Sequence, residues 1–408
     1  MVLNSENIVI LVSVTLLISY LASITYRITK IPDIILLMLF GITVGPILNL
    51  FDKSLFITLA PMMSIIALSI ILFEAGINSD IVEIMQTMAK STLLSISTIL
   101  SVTLVLGITL NFFMPNTFDL LKGMLLGAMV GGTSTVAVFG ILEGLDKNLK
   151  IGTGKTILTM ESIVSDPICI ILSITLIRMI MLPGVSIRES VYNIFETFIL
   201  SSLMGLGVGI LWTRILDRMK NPSFIYMITI SVLLPSYVLA ERLIGEGGGA
   251  MAALAFGLAI TNYRYIAEKI GLRREIRIDS RKLKEFHEEV TFFIKSFFFV
   301  YIGVVVSLKL EYIIIGFVLV GLIMIIRFQV ADIIGKLFKM TIIERTLTQF
   351  IFAAGLPSFI MAQLPIIFDP SGNYFPNPGI YADLCMPIVL GTVAFSSFIG
   401  SYMIKKRL

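Results

Sequence analysis

The chain has 408 residues, is 57% hydrophobic and only 14% charged, and its mean hydropathy is +0.97. Soluble domains carry nearer ~25% charged residues, so this chain has too little polar surface for a water-facing shell and reads as a polytopic membrane protein. The net charge of +4 is no nucleic-acid signal, because the basic residues gather in loops between apolar runs, and the two cysteines, Cys169 and Cys385, read as small core residues rather than a disulfide or a metal site.

The first apolar run, Ile8 to Thr25, follows Glu6 with no basic segment ahead of it, and reads as a span rather than a cleaved signal. A span needs about 20 apolar residues, and that window gives about thirteen candidates. They lie near 7–26, 31–50, 55–75, 87–113, 120–144, 154–183, 194–213, 222–240, 247–263, 288–308, 311–335, 346–367 and 383–404. Turn clusters separate them, as at Lys30-Ile31-Pro32-Asp33, Pro115-Asn116 and Asp369 to Gly379. The long charged loop, Arg264 to Glu289, holds the single histidine, His287, which reads as solvated there. With the N-terminus outside, most of the 31 basic residues fall in inward loops, which puts the C-terminus in the cytoplasm.

Two spans are interrupted at mid-depth. The fifth carries Gly131-Gly132-Thr133-Ser134-Thr135 and the twelfth Ala354-Gly355-Leu356-Pro357-Ser358. Glycine is permissive and proline removes a backbone donor, so both places can unwind. Paired interruptions in matching positions of two halves point to a transporter's binding site. They fit inverted six-helix repeats joined by the seventh span.

The sixth span holds Glu161-Ser162-Ile163-Val164-Ser165-Asp166-Pro167. A carboxylate at bilayer depth is expensive and is by default a functional-site hypothesis. Glu161 and Ser165 stack on one helix face, Asp166 is turned about 100° from Ser165, and Pro167 frees a carbonyl one turn earlier. Such oxygens suit a hard cation. Arg327 interrupts the eleventh span, and its partner is Glu161 or, on its own helix, Asp332. If Glu161 is neutralised, Asp166 is the remaining titratable acid, able to hold either a proton or a cation.

Weaker signals read structurally. Glu74 reads as a helix-end acid near water, Lys295 snorkels or pairs within its helix, and Phe297-Phe298-Phe299 packs against lipid or helices. Gly152-Thr153-Gly154-Lys155-Thr156 lacks the glycine that a phosphate loop needs at Leu149. No enzyme signature is present.

Ile31-Pro32 through Gly45-Pro46, Phe73-Glu74-Ala75-Gly76, Lys295 to Gly303 and above all Glu161 to Pro167 resemble the monovalent cation/proton antiporters, within them the sodium/proton exchanger branch. The resemblance implies crossed, broken fifth and twelfth spans and an elevator-like mechanism. It implies a homodimer in membrane lipid, with a core domain of about 87–183 and 311–404 and a dimerisation domain of about 1–75 and 194–308. Asp166 then binds the ion and the proton, with Ser165, Thr133, Ser134 and Ser162 around it, and Glu161 with Arg327 is a structural ion pair. Gly131, Gly132, Gly355 and Pro357 make the breaks. No cofactor is implied. Three positions depart from the pattern: Ser165 where Asn or Asp is usual, Thr133-Ser134-Thr135 where Thr-Asp-Pro is usual, and Pro357-Ser358 where Arg-Gly often stands.

The expected function is exchange of Na⁺ or Li⁺ for H⁺ across the cell membrane, serving pH homeostasis. The alternatives are K⁺/H⁺ exchange, an intramembrane aspartyl enzyme, which needs a second acid facing Asp166, and a non-transporting sensor.

Overall fold

In the computed structural model, residues 5–29, 33–50, 53–145, 152–182, 184, 187–219, 224–269, 271 and 280–407 are described. Their regular structure is helical throughout. In chain order the helices are α1 (Ser5–Thr29), α2 (Asp33–Ile42), α3 (Lys53–Ile77), α4 (Ile81–Phe113), α5 (Leu120–Val130) and α6 (Thr135–Gly144). There follow α7 (Gly152–Met181), α8 (Ile187–Arg218), α9 (Ile225–Leu243), α10 (Gly248–Thr261), α11 (Tyr263–Lys269) and α12 (Ser280–Val305). The last six are α13 (Leu310–Leu337), α14 (Ile342–Phe350), α15 (Leu356–Ala362), α16 (Leu364–Phe368), α17 (Gly379–Ala394) and α18 (Ser401–Arg407). The Ile31-Pro32 motif and the middle of the charged loop, 272–279, lie outside the described residues.

Seven of these segments are long and apolar enough to cross a membrane alone, and five shorter apolar ones pass within the bundle. Among the shorter ones, α5, α10 and α15 are mostly buried against other helices. To these, α12 adds one more pass. Its first turns carry Arg281, Lys282, Lys284, Glu285, Glu288 and Glu289, which depress its hydropathy. The chain is therefore the all-α polytopic fold that its composition implies. The fifth pass (α5, α6) and the fifth after α8 (α14 to α16) are the broken ones.

Two packed groups follow from the helix contacts. One joins α2, α3, α8, α9, α10 and α12; the other joins α4, α5, α7, α13, α14, α15 and α17. Contacts of α7 with α3, α8 and α10, and of α15 with α3 and α12, hold the two together. The loop after α16 is closed by Asp369, whose carboxylate accepts the backbone N–H groups of Asn373 (3.1 Å), Tyr374 (2.7 Å) and Phe375 (2.9 Å).

His287 corrects its sequence reading. It is fully buried, with its ring 4.6 Å from that of Phe73 on α3. The charged sequence around it belongs to the other faces of α12, and the helix turns this one residue inward.

Candidate functional site

The two breaks meet. Helix α5 ends at Val130 and α6 starts at Thr135, while residues 351–355 run extended between α14 and α15. The N–H of Ser134 donates to the carbonyl of Ala353 at 2.8 Å. Gly355 is required by this approach, since a Cβ there would stand 2.3 Å from Cβ of Ser134. At Gly132 a Cβ would stand 2.9 Å from Sγ of Cys169. Three further backbone groups of the break are satisfied from α17 and from the helical segment Phe395–Gly400 that continues it. Phe352 N–H donates to Ser396 Oγ (3.0 Å), which donates back to the Phe352 carbonyl (2.8 Å), and Ala354 N–H donates to Thr392 Oγ1 (3.2 Å). Unwound backbone at this depth persists only with such partners. The twelfth-span break lies a few residues earlier than the sequence suggests. Pro357 is not part of it but sits in the first turn of α15, where a missing N–H costs nothing.

Arg327 on α13 stands beside the same break, 0% exposed. Nη1 contacts Glu161 Oε1, Nη2 donates to Glu161 Oε2 at 2.7 Å, and Nε donates to the Thr348 carbonyl at 2.6 Å. Thr98 Oγ1 (3.3 Å) and the Ile351 carbonyl (3.4 Å) complete the set. The guanidinium thus takes two of the carbonyls that the end of α14 leaves without helical partners. Asp332 is no competitor. It is engaged by Lys336 at 2.7 Å, by Arg345, and by Gln349 at 3.0 Å.

Asp166 differs from the other acids. Among the described residues it has no hydrogen bond and no ion pair, and it is 6% exposed, onto a small cavity. The cavity offers about 10 Å³ to a water's centre, room for one occupant. Its polar lining is Asp166, Ser134, Thr135, Thr291 and Lys295, between walls such as Phe299 and Leu356. Among the described residues no second acid lines it, so they do not assemble the pair of facing carboxylates that an aspartyl enzyme requires.

Of the expected neighbours of Asp166, Ser134 lines this cavity and the others do not. Ser165 Oγ accepts the N–H of Thr133 at 3.1 Å and lies 3.1 Å from the Thr133 carbonyl, so it staples the fifth-span break to α7. Ser162 Oγ turns back onto the Thr159 carbonyl at 2.8 Å, the usual resort of a serine inside a helix. Lys295 neither snorkels nor pairs on its own helix. Its Nζ donates to Asp33 Oδ2 on α2 at 2.9 Å. That pair neutralises a cation at the cavity wall, and no local sequence signal links residues so far apart. Thr135, which the sequence marks only as part of the fifth-span break, and Thr291, a lone threonine that carries no signal, complete the polar lining.

Two unwound helices back to back beside an unpaired deep acid are the arrangement of secondary transporters. The chain belongs to the sodium/hydrogen exchanger transmembrane family, which matches residues 13–406. It is 26% identical over 285 residues to the probable Na⁺/H⁺ antiporter 2 of Methanocaldococcus jannaschii, covering 69% of this chain and 65% of that protein. It is 33% identical over 150 residues to the K⁺/H⁺ antiporter NhaP2 of Shewanella oneidensis, covering 36% of this chain and 25% of that one. The matched stretches thus span a quarter to about two thirds of these relatives. The structure of the sodium proton antiporter MjNhaP1 from M. jannaschii superposes with a TM-score of 0.80 at 17% identity, covering 98% of each chain. That likeness is one of fold.

Proposed function

We propose that this protein is a secondary antiporter that exchanges Na⁺ or Li⁺ for H⁺ by alternating access, with Asp166 holding cation and proton in turn. The observation that carries this reading is the isolation of Asp166, which faces a cavity with room for one small occupant. A carboxylate can be neutralised by a proton or by a monovalent cation, so the two ligands compete for it. Membership of the sodium/hydrogen exchanger family supports the same chemistry. One titrating carboxylate gives one cation per proton, and the loaded site carries the same charge either way.

In this account the group containing α4, α5, α7, α13 and α14 to α17 is a core domain that moves against the group containing α2, α3, α8, α9, α10 and α12. The latter serves as the dimerisation domain of a homodimer in the cell membrane. The basic loops face the cytoplasm. K⁺ is the second reading for the cation, favoured by the 33% identical stretch shared with a K⁺/H⁺ antiporter. Proton flux in proteoliposomes, measured against Na⁺, Li⁺ and K⁺ gradients in turn, separates the two. Flux with Na⁺ or Li⁺ and little with K⁺ is the expected result, and proton flux indifferent to all three would overturn the exchange reading.

A further inference from the structure

Thr135 is the first residue of α6 and lines the same cavity as Asp166. Its Oγ1 is shielded from solvent and has no hydrogen-bond partner. The hydroxyls that complete the two breaks are engaged, Ser165 with Thr133, Ser396 with Phe352, and Thr392 with Ala354, whereas on this cavity Thr291 Oγ1 is unpartnered like Thr135 Oγ1 but lies on α12, away from the fifth-span break. A buried hydroxyl left unpaired is costly, and native proteins resolve such groups with water or an ion. The cavity has room for one occupant, and Asp166 and Thr135 both line it.

We propose that Thr135 Oγ1 is a direct, neutral ligand of the transported cation and sets the preference among monovalent cations. The proposal rests on the reading of Asp166 as the carrier carboxylate. Hydroxyl oxygen is a hard ligand suited to such ions. The start of a helix carries partial positive charge, which disfavours a cation close by. An oxygen lone pair on the opening residue of α6 offsets that repulsion locally. It does so without adding charge, so the balance of one cation for one proton is preserved.

The test compares Thr135→Val, Thr135→Ala and Thr135→Ser with the parent protein in proteoliposomes. The readouts are the apparent KM for Na⁺, Li⁺ and K⁺, and cation-induced thermal stabilisation of each purified protein. Thr135→Val and Thr135→Ala should raise the KM of the preferred cation about three- to ten-fold, the range for loss of one neutral polar contact. They should also shrink its thermal stabilisation and change the ranking of the three ions. Thr135→Ser should stay within about two-fold of the parent. The alanine variant serves if valine does not fold. Parent-like KM values for every cation in the valine or alanine variant would overturn the proposal, as would a serine variant impaired as much as valine. Asp166→Asn run alongside keeps the two ideas apart. Cation stabilisation that survives in that variant counts against Asp166, while the Thr135 series is still compared with the parent.

Discussion

Arg327 grips Glu161 with both terminal nitrogens and, from the same guanidinium, takes the carbonyl of Thr348 at the end of α14. One side chain thus fixes α7, which carries Asp166, to the mouth of the twelfth-span break. Its role in this geometry is to hold the frame, since all of its contacts lie within protein and neither it nor Glu161 lines the cavity.

Replacing Arg327 by alanine should therefore strand the Glu161 charge and cost about 3–5 kcal/mol of stability. Adding Glu161→Gln should recover part of the loss. Thermal unfolding of the four proteins forms a double-mutant cycle. Strictly additive losses would show that the two residues are not coupled.

Asp33 and Lys295 make a second, looser pair at the cavity wall, 2.9 Å apart. Asp33→Asn leaves the lysine charge unmatched beside the site. The expected result is a several-fold rise in the apparent KM for the cation, relieved when Lys295→Gln is added. Equal KM values in the single and double variants would detach this pair from the site.

The approach of Gly355 to Ser134 can be tested by complementary volumes. Gly355→Ala should drive the two breaks apart and lower the melting temperature. Ser134→Gly in the same protein removes the atoms that the new methyl would strike, and should restore much of it. No restoration would mean that the clash lies elsewhere.

The amino-acid pattern disclosed the broken passes and the meeting of Arg327 with an acid on the sixth span, because a membrane interior makes each charge and each glycine cluster conspicuous. Other features were hidden for physical reasons. The limits of the twelfth-span break depend on Thr392 and Ser396, hydroxyls of a later pass that complete its backbone. Ser162 and Ser165 are both expected around Asp166, yet one turns to a carbonyl of its own helix and the other reaches Thr133. The partnership of Lys295 with Asp33 and the burial of His287 against Phe73 are set by how α12 packs on α2 and α3, which periodicity alone does not disclose.

Charge balance supplies a further expectation. On the proposed reading, with Ser134 and Thr135 neutral and Glu161 held by Arg327, Asp166 is the one carboxylate that changes protonation during the cycle. Cation jumps on a solid-supported membrane should give no steady current, and flux should be the same at imposed potentials of either sign. A steady current would require a second group to change protonation during the cycle.

The central claim is that Asp166 alone exchanges a proton for a cation, and Asp166→Asn tests it most directly. Asparagine nearly preserves shape but has no proton to release at working pH. The reconstituted variant, shown to be folded by its thermal unfolding, should carry no cation-dependent proton flux while the parent protein does. Robust flux in that variant, at a rate near the parent's, would contradict the account.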